Sequence, residues 1–214
     1  MSRPVSDNGG GLTGHWRQAT FCVLDLETTG MDPARDQIIA AGALIIEGGR
    51  IVLSTAWQSL AALEEGTTIS RESVPVHGLV AADLTGAPPL RQLLSELLDL
   101  CSGGLVVAHM GLRFDRPFIE AACNRLGLPR PELHWLDTAL LGAWFDDNPA
   151  ISVPAPRGQG PQRLADLVAR YALPQGQAHD ALGDALSAAQ LFLVLATKAE
   201  AIGRPKVSDL LRMI

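Results

Sequence analysis

Acidic side chains stand at several places in this chain where apolar or small residues surround them. Asp25 and Glu27 end the run FCVLDLET, whose first half has the composition of a buried strand. Residues two apart on a strand point to the same face, about 6–7 Å apart. Because carboxylates are rarely fully buried alone, and hard oxygen ligands favour Mg²⁺ or Mn²⁺ over zinc, the pair predicts a cation site. Solvated acids on an edge strand are the structural alternative.

Two more acids and a histidine lie far along the chain from this pair. Asp115 follows the short apolar run LVVAHM and a brief loop, where a helix is predicted to start, so an N-cap is the structural alternative. Asp184 lies among alanines on one face of a predicted helix, where an uncompensated buried carboxylate would be costly. His179 directly precedes that helix. Beside metal-bound acids it is a candidate general base, because imidazole has an ordinary pKa near neutrality.

Strands and helices are needed to bring these distant residues together. Apolar patterning predicts strands at about 20–26, 37–49, 50–60 and 105–110, helices at 88–104, 115–127, 163–173 and about 180–201, and a loop at 146–162. The turn EGGR joins the second and third strands into a hairpin. The last long helix is apolar over most of its circumference, which predicts that it is buried. The pattern favours an α/β sheet covered by helices, antiparallel where the hairpin lies.

Composition indicates one globular domain in a chain of 214 residues, of which 47% are hydrophobic and 19% charged. We predict a flexible N-terminal tail over 1–18, without the apolar core of a secretory signal, and one domain over 19–214. Three cysteines in apolar contexts predict reduced core thiols and a cytoplasmic location. The net charge of −6 argues against a nonspecific nucleic-acid coat, but divalent cations would reverse the sign of clustered acids.

Several motifs together resemble those of the DEDDh 3′–5′ exonucleases, a family that includes the proofreading epsilon subunit of bacterial DNA polymerase III, ribonuclease T and oligoribonuclease. DLETTG, VHGL, VVAHMGLRFDRPF, LDT and HDALGDA occur here in the family's order, and the resemblance covers about residues 20–200. It implies an RNase H-like α/β fold with a mixed five-stranded sheet, an antiparallel β1-β2-β3 part and flanking helices. It also implies Asp25, Glu27, Asp115 and Asp184 as ligands of two divalent ions, Mg²⁺ or Mn²⁺, and His179 as the general base.

The same resemblance implies four contacts to the substrate: Thr28, Glu72, His77 and Phe114. A core or capping histidine is the alternative for His77. The chain departs from the family at Met110 and Gly111, where Asn and Ala are usual, and the lost amide side chain is expected to alter geometry or rate near Asp115. Arg113 and Arg116 stand on either side of Asp115 and are candidates for phosphate contacts, or simply exposed arginines.

The function that the resemblance implies is metal-dependent 3′–5′ exonuclease activity, which releases nucleoside monophosphates by two-metal-ion phosphodiester hydrolysis. Single-stranded DNA ends are favoured, and a polymerase is an expected partner. The alternatives are an exoribonuclease acting on RNA or short oligonucleotides, and a non-catalytic nucleic-acid-binding or polymerase accessory module, which the five intact positions disfavour. A D-x-D-x-T phosphatase is disfavoured because the second acid of DLETT is Glu. The sequence predicts no membrane span and leaves the oligomeric state and the preferred metal open.

Overall fold

The structure, a computed structural model, describes residues 11–148, 162–174 and 180–214. Within these ranges the strands are β1 Phe21–Thr28, β2 Ile38–Glu47, β3 Arg50–Leu60, β4 Leu105–Ala108 and β5 His134–Asp137. The helices are α1 Val74–His77, α2 Leu90–Leu100, α3 Asp115–Leu126, α4 Thr138–Asp146, α5 Leu164–Arg170, α6 Ala181–Ala201 and α7 Val207–Leu211. Short 3₁₀ turns cover Gly11–Thr13, Trp16–Gln18 and Cys101–Gly103.

The strands form one mixed sheet in the order β3-β2-β1-β4-β5. β1, β2 and β3 pair antiparallel, whereas β4 runs parallel to β1 and to β5. In the hairpin between β2 and β3, Gly48 and Gly49 have φ of 61° and 68°, as a two-residue type I′ turn requires. The predicted fold class and hairpin are therefore confirmed. The carboxyl ends of β1, β4 and β5 meet at one edge of the sheet, where open α/β sheets usually bind ligands.

The two faces of β1 belong to two different hydrophobic cores. Phe21 and Val23 pack into the core that contains α6, while Cys22, Leu24 and Leu26 pack into the core of α2 and α3. Because side chains alternate along a strand, Asp25 and Glu27 continue the row of Phe21 and Val23 on the α6 side. The alternation explains how two acids can follow an apolar strand and still face the helix that carries Asp184.

Helix α6 is the core helix that its composition predicts. Ala185, Phe192 and Leu195 are fully buried against the sheet, and contacts with β1 and β2 run along the helix. Among the described helices only α6 is long and apolar enough to cross a membrane, and it lies half buried inside the fold. We therefore interpret α6 as a structural core element. All three cysteines are buried and free, which confirms that they are core thiols.

The N-terminal segment differs from the predicted flexible tail over 1–18. Residues 11–18 pack against the end of α6 and the start of α7, and Trp16 is fully buried. The Trp16 indole and the Arg17 guanidinium both donate to Glu200, at 3.0 and 2.9 Å. Burial of the large Trp16 side chain stabilises the packing of this segment, although most of its other residues are polar or glycine. Residues 1–10 lie outside the described part of the chain.

Four of these strands and helices are absent from the prediction: β5, α1, α4 and α7. The predicted loop over 146–162 begins where α4 ends at Asp146, and its residues 149–161 lie outside the description. The other predicted strands and helices lie within a few residues of their observed bounds.

Candidate active site

Three carboxylates from two distant elements meet beside the edge of the sheet. One oxygen each from Asp25 and Glu27 of β1 and from Asp184 of α6 lie within 4.8 Å of one another. Glu27 is buried, and Asp25 and Asp184 are half-buried. Oxygens at this spacing need only a small adjustment to share one Mg²⁺ or Mn²⁺ ion.

The start of α6 fixes the position of Asp184. Asp180 caps the helix by accepting the Gly183 N–H at 3.2 Å, and Gln58 of β3 donates to Asp180 at 2.6 Å. Asp184 follows in the first helical turn, where its own N–H bonds to the Asp180 carbonyl at 2.8 Å. The edge strand β3 thus contributes to the orientation of the helix that carries the third acid of the cluster.

Gly42 permits a close approach between α6 and the sheet. It lies opposite Asp25 in the β1–β2 ladder. A Cβ at Gly42 would lie 2.2 Å from the backbone nitrogen of Leu182 and 2.4 Å from the carbonyl carbon of Ala181. Only a glycine allows the first turn of α6 to contact the β2 backbone directly, next to Asp25. Gly42 is not among the residues predicted from the sequence, because nothing local distinguishes it from other glycines in strands.

Asp115 reaches the same region from α3. It is the first residue of the helix, and Phe114 occupies the N-cap position, so the predicted N-cap alternative does not hold. Its carboxylate is buried, and among the described residues Oδ1 has no hydrogen-bond partner. A buried, unsatisfied carboxylate oxygen is unfavourable in the protein alone and is suited to bind a cation.

Burial and the proximity of the other acids make the ionised forms of these carboxylates unfavourable when no cation is bound. Burial, and then the neighbouring Asp115, Glu27 and Asp184, raise the pKa of Asp25 well above its ordinary value. Burial and then Asp184 raise the pKa of Glu27 to about 7, and burial chiefly raises the pKa of Asp115 to about 8. A like-charge pair at 4 Å costs on the order of 4 kcal/mol at an effective dielectric constant of 20. Divalent cations would remove this penalty.

A cleft of about 470 Å³ opens beside Glu27. Its size falls in the range of small-molecule sites in proteins. It is lined by Glu27, Thr28, Gly30, Met31, Asp36, Ser70, Glu72, Ser73, Val76, His77 and Phe114. The four residues predicted as substrate contacts therefore share one cleft with a predicted metal ligand. Their assigned roles remain predictions.

Several cleft residues are held by local contacts. The Thr28 hydroxyl donates to the Gly30 carbonyl at 2.6 Å, and His77 Nδ1 accepts the Leu79 N–H at 3.0 Å. His77 thus also performs the capping role considered as its alternative. Phe114 packs against Phe118 with ring centroids 4.9 Å apart. These contacts hold the three side chains in the lining of the cleft.

The cleft also contains apolar side chains that are not among the predicted site residues. Met31 is 78% exposed and Val76 is 49% exposed, and both line the cleft. With Phe114 they give the cleft an apolar part. The available signal was a methionine directly after the DLETTG motif, in a loop that has no core to fill.

The departure at Met110 and Gly111 has a structural consequence. Met110 adopts φ of 60°, a left-handed conformation that asparagine tolerates and most other residues avoid. At Gly111 a Cβ would lie 2.5 Å from the Ala108 Cβ and 3.3 Å from the Trp135 ring, so this chain has no room for alanine. The turn before Asp115 therefore has a left-handed residue at position 110, where methionine is less favourable than asparagine.

His179 lies outside the described residues, so its predicted role as general base stays a prediction. Arg113 and Arg116 are exposed on the outer side of the α3 start. Arg116 bonds to Glu120 at 2.8 Å, which favours a structural role for Arg116.

With its mixed sheet and the carboxylate cluster at the sheet edge, this protein belongs to the class of RNase H-like folds. Within that class, the family model RNase_T, described as Exonuclease, matches residues 22–192, and the chain belongs to this exonuclease family. The predicted family is thereby confirmed.

Relatives of known name support the same conclusion. The chain is 31% identical over 192 residues to DNA polymerase III PolC-type of Thermotoga maritima, covering 90% of this chain and 13% of that protein. It is 30% identical over 187 residues to a DNA polymerase III subunit epsilon-like protein of Rhodobacter capsulatus, covering 86% and 25%. E. coli Exonuclease I in complex with a dT13 oligonucleotide shares the fold, with a TM-score of 0.74, 16% identity, and coverage of 86% and 42%. This chain thus spans less than half the length of each relative.

Proposed function

We propose that this chain is a 3′–5′ exonuclease that releases nucleoside monophosphates from single-stranded 3′ ends, preferably of DNA, with the aid of two divalent metal ions. The convergence of Asp25, Glu27 and Asp184 at one point carries the proposal. A nuclease is the class that the family supports, and the polarity and substrate are the proposed refinement.

The residues present fit divalent ions. Asp25, Glu27 and Asp184 would hold one ion, and Asp25 with Asp115 the other, where the unsatisfied Asp115 Oδ1 offers a ligand. Bound ions would supply charge neutralisation at the attacking and leaving oxygens of a phosphodiester. Metal ligands must be deprotonated, so ions that bind carboxylates whose pKa values are raised by burial would displace protons, and their affinity would decrease at acid pH.

The other residues would bind and orient the terminal nucleotide. Phe114, Met31 and Val76 give the cleft an apolar surface for the base. Glu72 and His77 also line the cleft, and their polar side chains would accept hydrogen bonds from the sugar or donate to it. His179 would accept the proton of the attacking water.

Two observations favour a single-stranded end as substrate. The net charge of −6 is unsuited to tracking a long duplex by phosphate contacts alone. The fold is shared with an exonuclease seen bound to dT13. A polymerase is proposed as partner because the relatives include polymerase III proteins of the PolC and epsilon-like types.

The test is incubation with 5′-labelled and 3′-labelled single-stranded DNA and RNA in Mn²⁺, with Asp25→Ala as the inactive control. We expect 5′-labelled DNA to give a descending ladder and 3′-labelled DNA to give labelled mononucleotide at once, both absent from the control. A ladder on RNA but not on DNA would support the exoribonuclease alternative. Binding without cleavage by the unaltered chain would support the accessory-module alternative and refute the proposed activity.

A further inference from the structure

Asp137, the last residue of β5, is a buried carboxylate outside the cation cluster. It is 1% exposed and accepts four backbone N–H groups. Two come from the first turn of α4, Ala139 at 2.9 Å and Leu140 at 3.3 Å. The other two come from the loop before α3, Met110 at 3.1 Å and Leu112 at 3.3 Å. One side chain thus links two separate parts of the chain.

The loop bound by Asp137 leads directly to Asp115. The Met110 carbonyl accepts the N–H groups of Arg113 and Phe114, each at 3.0 Å, and the Gly111 carbonyl accepts the N–H of Arg116 at 2.9 Å. A continuous series of hydrogen bonds therefore runs from the Asp137 carboxylate to the first turn of α3. A displacement at the start of this hydrogen-bonded turn would therefore also displace Asp115.

This loop needs an external anchor. Met110 has φ of 60°, and a non-glycine residue in this region persists only where its surroundings hold it. The Gly111 backbone lies tightly against Ala108 and Trp135, which limits where the loop can go. Hydrogen bonds that backbone N–H groups donate to a buried carboxylate are stronger than those between neutral groups and are suited to fix such a turn.

We propose that Asp137 is a positioning residue, which holds the loop 110–114 so that Asp115 lies at the second metal position. This inference rests on the proposed two-metal function. Residues that orient metal ligands typically contribute 10–100-fold to metal affinity or activity. An ordinary helix cap for α4 would need only the bonds to Ala139 and Leu140, so the two loop bonds distinguish the roles.

The discriminating variant is Asp137→Ser. Serine is a good N-cap, so it can keep the bonds to α4, but its side chain is too short to reach both N–H groups of the loop as well. Asp137→Asn is the second variant, since its amide would direct a donor at the Leu112 N–H. Asp146→Asn is the matched control, because Asp146 is a carboxylate at the other end of α4 that pairs with Arg170 at 2.9 Å.

Mn²⁺ binding by calorimetry and melting without metal are measured for all four proteins. We expect both Asp137 variants to bind one of two Mn²⁺ ions about 10–100-fold more weakly and the other within about twofold of the unaltered chain. Asp146→Asn is expected to melt lower with both ions bound normally. In a fifth protein measured in the same way, Asp137→Glu, we expect affinity between that of the unaltered chain and that of Asp137→Ser, because the longer carboxylate side chain shifts the anchored loop.

If Asp137→Ser binds both ions with unchanged affinity, the inference is overturned and the proposed function stays intact. If the serine variant does not fold, the same result in Asp137→Asn decides the question. Failure of the unaltered chain to bind Mn²⁺ at all would overturn the proposed function, and this inference with it. The two failures are distinguished because the second is seen before any substitution is made.

Discussion

Substitution of Gly42 by alanine offers a sharp perturbation of the active site from outside it. The added Cβ would lie 2.2 Å from the Leu182 nitrogen, whereas ordinary contacts begin at 3.4 Å, so the first turn of α6 must move by about 1.2 Å, the difference of the two distances. The obstructing atoms are backbone, and no side-chain rotation can relieve them. Asp184 lies two residues beyond Leu182 and would move with the helix.

A misplacement of about 1 Å can cost about 10²-fold in rate, and overpacking of this kind costs about 1–3 kcal/mol of stability. We therefore expect Gly42→Ala to stay folded, by circular dichroism and urea unfolding, yet to lose about 100-fold in Mn²⁺-dependent nucleotide release from a 5′-labelled oligonucleotide. Gly142→Ala in α4 is the matched control, because its Cβ would meet only the flexible Leu167 side-chain end, at 3.1 Å. Full activity in a folded Gly42→Ala variant would refute the idea that this approach positions Asp184.

Three further predictions concern charge, strain and proton transfer. Burial raises the pKa of Glu27 to about 7 and that of Asp115 to about 8, so the metal-free folded chain retains protons that the unfolded chain releases above about pH 4. Its free energy of unfolding in EDTA should therefore be greatest at acid pH, decrease between about pH 4 and the folded pKa values of about 7 and 8, and then level off, with a smaller decrease in Glu27→Gln; a flat or rising profile over this range would contradict this. Met110→Asn should raise the free energy of unfolding by about 1 kcal/mol, because asparagine tolerates φ of 60°, whereas Met110→Gln should not, and equal urea midpoints would disprove the strain. His179→Ala should lower the rate by about 10²–10⁴-fold and leave Mn²⁺ affinity unchanged in calorimetry; loss of binding would make His179 a ligand instead.

Much of the fold could be predicted from the sequence because its strongest signals are local. The apolar run before Asp25, the GlyGly turn at 48–49 and the apolar composition of α6 each specify an element with little help from the rest of the chain. Trp16 shows the limit of such signals. Trp16 is buried against residues of α6 and α7, which are far from residue 16 in the sequence. The residues close to Trp16 in the sequence therefore do not predict its burial.

The acidic residues of the site could be predicted for a similar reason. Each carboxylate lies in an apolar or small-residue context, as Asp184 does among its alanines. An uncompensated charge is unfavourable in such a context, which is why the context predicts a cation. Gly42 and Asp137 could not be found in this way, because their roles depend on contacts between segments far apart in sequence. Glycine in a strand and aspartate before a helix are common, and only the register and the hydrogen bonds show their importance.

The proposed activity requires that acids from β1, α3 and α6 form one site that is stabilised by divalent cations. Thermal unfolding with and without Mn²⁺, on the unaltered chain and on Asp184→Asn, tests it directly. At an Mn²⁺ concentration 100 times Kd, ligand binding adds about 2.7 kcal/mol, which corresponds to a rise in Tm of roughly 5–10 °C for a chain of this size. We predict such a rise for the unaltered chain and little or none for the variant. An unaltered chain whose Tm does not respond to Mn²⁺ or to EDTA would contradict the account.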